Sequence, residues 1–403
     1  MKTYRRDPQQ LLYSKQFVTS VFSVFTICIL FAFVVIAPAQ EFKQVHPGVE
    51  HAQVTHKIGE EPVKINLLRL DLTKVRLDVH HALDRAIGLE TTSSIAKRKG
   101  AVAAVNAGFF RLDKSQFAGD TAGFLMIDRE IWSESGNDRI AIMIENGPND
   151  SKVWFAHINL NYHVTILKKK LSDARNYFIS GVNRERKPNE VVLYTPRFGS
   201  STLTDANGVE IVFEENGLNR IVKGTGNNTI PAKGVVLSAS GEKVDEVLRL
   251  FSPETSVAVA SGVSVVNVPG KPQQAVIFAF SNIEDVTAGV PQLIKDGKVD
   301  ITWEQEKASK SFVETRHPRT AVAKLKDGKF LMVAVDGRQP GVSVGMSLQE
   351  LAEYLLSLGA MDAMNLDGGG STTMYLDGKV VNTPSDKEGE RKIGDAIVVT
   401  LRK

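Results

Sequence analysis

Four short polar clusters stand at the ends of apolar runs, and each carries residue types that handle charged substrates. They are Asn106-Ala-Gly108, Arg316-His-Pro-Arg319-Thr320, Asp336-Gly-Arg338 and Asp367-Gly-Gly-Gly-Ser-Thr372. A fifth, Asn382-Thr-Pro-Ser-Asp386 with Arg391, follows the last hairpin signal. A carboxylate just past a buried strand sits at a sheet edge, where clefts form. In the loop after Asp367, glycines 368, 369 and 370 allow backbone turns that point successive N–H groups into one concavity. Gly368, Gly369 and Gly370 then read as an anion nest, with Ser371 and Thr372 adding hydroxyl donors; a plain tight turn is the other reading. It is not a Walker A loop, because no Gly-Lys-Ser/Thr follows.

Arg316, Arg319, Arg338 and Arg391 are candidate clamps for phosphate or carboxylate, whose oxygens a guanidinium fork matches. Asp336 and Asp367 form a candidate acid/base or nucleophile/acid pair, the equipment of glycosidic cleavage. The same two residues could instead hold calcium or magnesium, although no EF-hand spacing supports that. Asp-Gly is also the commonest turn dipeptide and recurs at 296, 327 and 377. The Asn106 amide, beside Gly108, suits a sugar hydroxyl or a phosphate oxygen, or else an Asx-turn closing a strand. His317 lies in the arginine cluster, as a site acid or as a simple loop histidine. There is no His-Glu-x-x-His and no Gly-x-Ser-x-Gly around Ser371, which excludes zincin and serine-hydrolase motifs.

Strands and one strong helix must position these clusters. Val63–Leu70, Val75–Val79, Ala101–Val105, Ala363–Leu366 and Ala396–Leu401 read as strands. Thr320–Leu325 and Phe330–Val335 flank Asp327-Gly328 as a hairpin, and Met374–Leu376 and Lys379–Val381 flank Asp377-Gly378. Thr92–Lys99 reads as a short helix stopped by Gly100. Ser347-Leu-Gln-Glu350 is a capping box, and Leu348, Leu351, Leu355 and Leu358 follow at helical spacing until Gly359. Residues 128–280 carry short β-branched runs such as Val191–Tyr194, Val209–Phe213 and Ala275–Phe280, with Asn207-Gly208 as a hairpin signal. The pattern predicts α+β, a mixed sheet core with flanking helices and a β-rich insertion.

The 403 residues are 42% hydrophobic and 24% charged, an ordinary globular composition that excludes a disordered or fibrous chain. Before residue 40 stand Lys2, Arg5, Arg6 and Lys15 against Asp7; setting these aside leaves 45 basic and 45 acidic residues. The body is neutral and has no basic block with interleaved aromatics, so nucleic acid is not an expected partner. The basic start, the apolar run from Phe17 to Ala37 and Ala37-Pro-Ala39 form the pattern of a secretory signal peptide over 1–39. The run is also long enough for a retained anchor. Either way residues 40–403 are exported, to the periplasm, the cell surface or the medium, and touch a membrane only through an uncleaved leader. The sole cysteine, Cys28, lies in the leader, so the exported part has no disulfide or thiol chemistry.

Several of these motifs occur together, in one order, in a known family. Asn106-Ala-Gly-Phe-Phe110, Gly289-Val-Pro-Gln-Leu293, Arg319-Thr-Ala321, Val335-Asp-Gly337, Ser347-Leu-Gln-Glu-Leu-Ala352, Asn365-Leu-Asp-Gly-Gly-Gly-Ser371 and Asn382-x-Pro-Ser385 carry the resemblance. From about 50 to 403 the chain resembles the phosphodiester glycosidases, most weakly across 128–280. Ala107 and Ala323 stand where the family usually has glycine. The domain reading is therefore a leader, a β-rich part at 40–100, and a phosphodiester glycosidase domain at 101–403.

The resemblance implies a hydrolase that cleaves the C1–O bond of a sugar-1-phosphodiester, N-acetylglucosamine-like, releasing free sugar and a phosphomonoester. Under it Asp367 and Asp336 are catalytic. The substrate-binding set is Asn106, Gly108, Arg319, Thr320, Arg338, Gly368, Gly369, Gly370, Ser371, Thr372 and Arg391. The expected partner is a sugar-1-phosphate diester or phosphoglycan. No cofactor is required, with a divalent cation left open. Two other readings stand beside it: a metal-dependent phosphodiesterase that breaks P–O, and a non-catalytic glycan binder. The second is disfavoured by only 3 Trp and 7 Tyr, none clustered at the glycine loop.

Overall fold

The computed structural model describes residues 41–402 apart from 135, 137, 159–161, 168–174, 216–218, 252–255 and 259–281. The leader with Cys28 and the run Ala275–Phe280 lie outside the described residues.

The apolar runs pair as one long antiparallel sheet. Its strands run, edge to edge, Lys43–His46, Val49–Ile58, Glu61–Leu70, Phe330–Val335, Arg319–Leu325, Ala360–Asn365, Gln292–Lys295 and Lys298–Val299. The expected Asp327-Gly328 hairpin forms, with Arg319 opposite Val335. Arg319–Leu325 then pairs with Ala360–Asn365, putting Ala321 opposite Asn365. This register brings the Arg319-Thr320 cluster beside the Asp367 loop.

Alternation along these strands feeds two cores. Val63, Ile65, Leu67, Ala321, Ala323 and Val333 face the helix Leu348–Ser357 through Leu348, Leu351 and Leu355. That helix has the expected capping box: the Glu350 N–H donates to Ser347 Oγ at 3.2 Å, and the Ser347 N–H donates to Glu350 Oε2 at 2.9 Å. On the other face, Leu68, Val322, Met332 and Met364 pack against a second antiparallel sheet. Its order is Lys379–Val380, Met374–Leu376, Ala103–Asn106, Asp395–Leu401 and Val75–His81. Because the central strands are buried on both faces, they read as continuous apolar runs.

A third sheet, Ser151–His157, Ile140–Asn146, Asp285–Ala288, Leu125–Ile127 and Glu130–Ser133, adds Ile140, Ile142 and Ile144 to that same second core. The early part of the expected 128–280 elaboration thus packs with the main body. The separate β structure is a three-stranded sheet (163–167, 175–178, 256–258) and a five-stranded sheet between 181 and 239. The latter's core is Val191, Leu193, Val209, Ile211 and Leu237, roofed by Val247 and Phe251.

Two details differ from the sequence reading. Sheets dominate, and helices are few and short among the described residues, so the α+β reading is right in outline with the helical share overstated. Asn207-Gly208 does not join two adjacent strands. The Asn207 N–H donates to Asp205 Oδ1, and Arg186 donates to both Asp205 and the Asn207 carbonyl. The pair therefore makes a pinned turn before Val209–Glu214, which pairs onward with Asn219–Lys223.

Candidate functional site

The clusters converge where Ala103–Asn106 ends, Asp395–Leu401 begins and the strand Ala360–Asn365 runs into the glycine loop. Asn106 is the knot. It is fully buried, and its Oδ1 accepts from Thr320 Oγ1 at 2.8 Å and from the Thr373 N–H at 3.0 Å. Its Nδ2 donates to the Asp367 carbonyl at 2.7 Å. Thr320 Oγ1 also meets Thr372 Oγ1 at 3.3 Å. Asn106, Thr320 and Thr372 are therefore occupied with one another and with the loop they hold. Their geometry supports a positioning role.

The glycine loop closes as a 3₁₀ turn over Gly369–Ser371. Its N–H groups are largely spent on the protein. Gly369 N–H donates to the Pro318 carbonyl at 2.9 Å, Ser371 N–H to Gly368 O at 3.1 Å and Thr372 N–H to Gly369 O at 3.3 Å. This differs from the open anion nest the glycines suggest. Their small size serves a different purpose: Gly369 has φ +61°, and a Cβ there would lie 2.9 Å from an Arg338 guanidinium nitrogen. A Cβ on Gly370 would collide with the Asp386 carboxylate and the Arg391 guanidinium. Two cations thus rest directly on a bare backbone.

Arg338 is exposed, sits at φ +62°, and its guanidinium donates to Ser385 Oγ at 3.5 Å. A non-glycine residue in this region is uncommon. No described carboxylate pairs with it. Arg391 is held by Asp386 through two bonds of 2.7 and 3.0 Å, which fixes its fork beside the loop.

Asp367 lies at the base of this arrangement, partly reachable from solvent. Its N–H donates to the Ala107 carbonyl at 2.9 Å. Burial pushes its carboxyl up to about 6, against the pull of the nearby Ser371 hydroxyl, the Arg391 charge and the Gly368 N–H. A second carboxylate, Asp395, adds to the upward push on Asp367. Asp395 is buried and itself raised to about 6 by desolvation; it accepts from the Gly108 N–H at 2.9 Å and from Thr287 Oγ1 at 2.6 Å.

Asp336 is placed differently. It is buried, its Oδ1 accepts from Asn382 Nδ2 at 3.1 Å and from the Thr383 N–H at 2.9 Å, and burial raises its pKa. Asn382 reaches on to the Thr372 carbonyl at 3.0 Å. Asp336 therefore anchors the Asn382 turn that backs the loop. The carboxylate that Asp367 senses is Asp395.

Arg319 is 1% exposed, and its donors go to backbone carbonyls: Met346 at 2.9 Å, Phe312 at 2.8 Å and Thr315 at 2.8 Å. Its charge lies 5.0 Å over the Phe312 ring, and burial with the Arg338 charge lowers its pKa to about 10. It braces the segment before its strand. Arg316 turns away to pair with Glu350 at 2.7 Å. His317 is drawn below its ordinary pKa by burial and by Arg319 and Arg338.

Sequence reasoning missed Asp395, whose one signal is a carboxylate opening an otherwise apolar strand. It also missed Thr287, and Asp386 as the partner that orients Arg391. Among the described residues no three His, Cys, Asp or Glu side chains gather as metal ligands.

Residues 207–400 match the profile of the phosphodiester glycosidase family. The N-acetylglucosamine-1-phosphodiester alpha-N-acetylglucosaminidase of Bos taurus is 36% identical over 123 residues, which is 28% of this chain and 23% of that protein. The chain thus spans about a quarter of the length of this mammalian relative. A solved structure from Synechocystis superposes with TM-score 0.73 at 21% identity, over 91% of this chain and 64% of that one. A Burkholderia pseudomallei protein inferred to be exported gives TM-score 0.69 at 25% identity, over 84% and 74%.

Proposed function

We propose, for a chain that belongs to the phosphodiester glycosidase family, that it is an exported hydrolase of sugar-1-phosphodiesters. It breaks the C1–O bond and releases free sugar and a phosphomonoester. The observation that supports this most is Asp367: a carboxyl that burial raises to about 6, at the start of a loop on whose glycine backbone two guanidinium groups rest. Arg338 and Arg391 receive the two-faced diester and stabilise the phosphate as it leaves. Because phosphate leaves readily, little acid assistance is needed. Asp367 acts at C1, as nucleophile or as the base for water. Asp336, Asn106, Thr320 and Thr372 hold the loop in place. Arg319 braces the neighbouring segment.

Export is supported by the leader pattern and by likeness to the Burkholderia protein inferred to be exported. No helix among the described residues is long and apolar enough to cross a membrane. An N-acetylglucosamine-like sugar follows the name of the mammalian relative.

The test incubates the purified chain with UDP-N-acetylglucosamine in water enriched in oxygen-18, beside Asp367→Asn. Free sugar carrying the label, absent in the variant, supports the proposal. Sugar-1-phosphate with label on phosphorus sinks it in favour of P–O cleavage.

A further inference from the structure

A cavity of about 580 Å³ lies away from Asp367, between the third sheet and the separate β structure. Its walls include Ile131, Val182 and Leu193, with Arg129, Glu130 and Arg197 supplying polar groups. A smaller cavity of about 200 Å³ shares Asp84 and Arg197 with it and is lined by His81 and Trp132. The smaller cavity lies near the Asp395 end of the second sheet, because its lining residue His81 pairs in register with Asp395.

Every Asp, Glu and Arg lining the larger cavity has its own partner. Arg197 pairs with Glu130 at 2.5 Å, Arg129 with Glu284 at 3.1 Å, and Asp84 with Arg98 at 2.5 Å and Lys99 at 2.9 Å. Such a wall offers fixed donors and acceptors together and no net field. That suits a polyol, whose hydroxyls both give and take hydrogen bonds, and gives no advantage to an anion. Two further features point to a ligand. Trp132 is 4% exposed, and its indole N–H has no hydrogen-bond partner, although buried donors are normally satisfied. Phe178 is 66% exposed and stands opposite His163, a lining residue, with ring centroids 6.0 Å apart. An exposed aromatic beside a lining residue is a stacking surface for a sugar ring.

We infer that this groove is a second carbohydrate site, which holds a neutral oligosaccharide stretch of the substrate while Asp367 works on the phosphodiester. The inference rests on the glycosidase reading for the identity of the chain bound. Most of the lining lies before residue 207, outside the matched family region.

The test is calorimetric titration of the full chain with chitotetraose, maltotetraose and cellotetraose. Binding of at least one is expected, weakened tenfold or more by Phe178→Ser and by Arg197→Ala, and unchanged in Asp367→Asn. Failure to bind any of the three overturns the site. Binding that ignores both groove variants, or that is lost in Asp367→Asn, overturns it as well. Turnover of UDP-N-acetylglucosamine is measured separately. Tetrasaccharide binding at the groove without sugar release keeps this site and removes the glycosidase reading.

Discussion

Asn106 and Thr320 lie far apart in sequence, on strands of different sheets, and meet through a buried 2.8 Å hydrogen bond. The bond ties the end of Ala103–Asn106 to the start of Arg319–Leu325. The same Asn106 amide holds the Asp367 carbonyl at 2.7 Å. The two sheets and the carboxylate loop are thus fastened at one point.

Asn106→Ala leaves the Thr373 N–H and the Asp367 carbonyl without their buried partner. A loss of about 2–4 kcal/mol is expected, together with lost turnover. Urea unfolding followed by circular dichroism measures it, and a change under 1 kcal/mol would contradict the role.

Asp367→Asn is expected to abolish turnover, by about 1,000-fold or more, and to stabilise the protein near neutral pH. The folded carboxyl is raised above its unfolded value, so its ionisation costs stability as pH rises through about 6. The neutral amide escapes that cost, about 1–3 kcal/mol at pH 7.5 and much less at pH 4.5. Thermal melts at the two pH values check the sign.

Asp395→Asn removes the like charge that raises Asp367. If ionised Asp367 does the chemistry, kcat/KM climbs with pH through a midpoint near 6. The variant's midpoint moves to lower pH. A pH–rate profile with an unmoved or raised midpoint would contradict this coupling.

Arg338→Met removes a cation with no carboxylate partner among the described residues. Stability is expected to stay within about 0.5 kcal/mol of the parent, while kcat/KM falls about 10- to 100-fold. Steady-state kinetics beside melting curves separate the two effects; a matched fall in stability would assign Arg338 to the fold.

Arg319→Met is the converse case. It frees the Phe312, Thr315 and Met346 carbonyls, so destabilisation of about 2–4 kcal/mol accompanies any loss of rate. A fully stable but inactive Arg319→Met would return Arg319 to the phosphate.

Local chemistry made much of this molecule legible in the sequence. The Ser347–Glu350 capping box, the leucine spacing after it and the Asp-Gly hairpins are decided by neighbours within a few residues, and they stand as read. The Asp367 loop reads as the centre of the site for a local reason too, since three successive glycines before Ser371 announce an unusual backbone. The use of that backbone was not legible. Only the tertiary structure gives the Gly369 N–H to Pro318, sets Arg338 on Gly369, and spends Asn106 on Thr320. Likewise, burial turned Arg319 into a brace and made Asp395, rather than Asp336, the carboxylate that Asp367 senses. Hydrogen-bond partners, desolvation and charge pairing between distant segments do not exist until the strands are in register. The residue types therefore fixed what chemistry was available, and the packing decided which of them performs it.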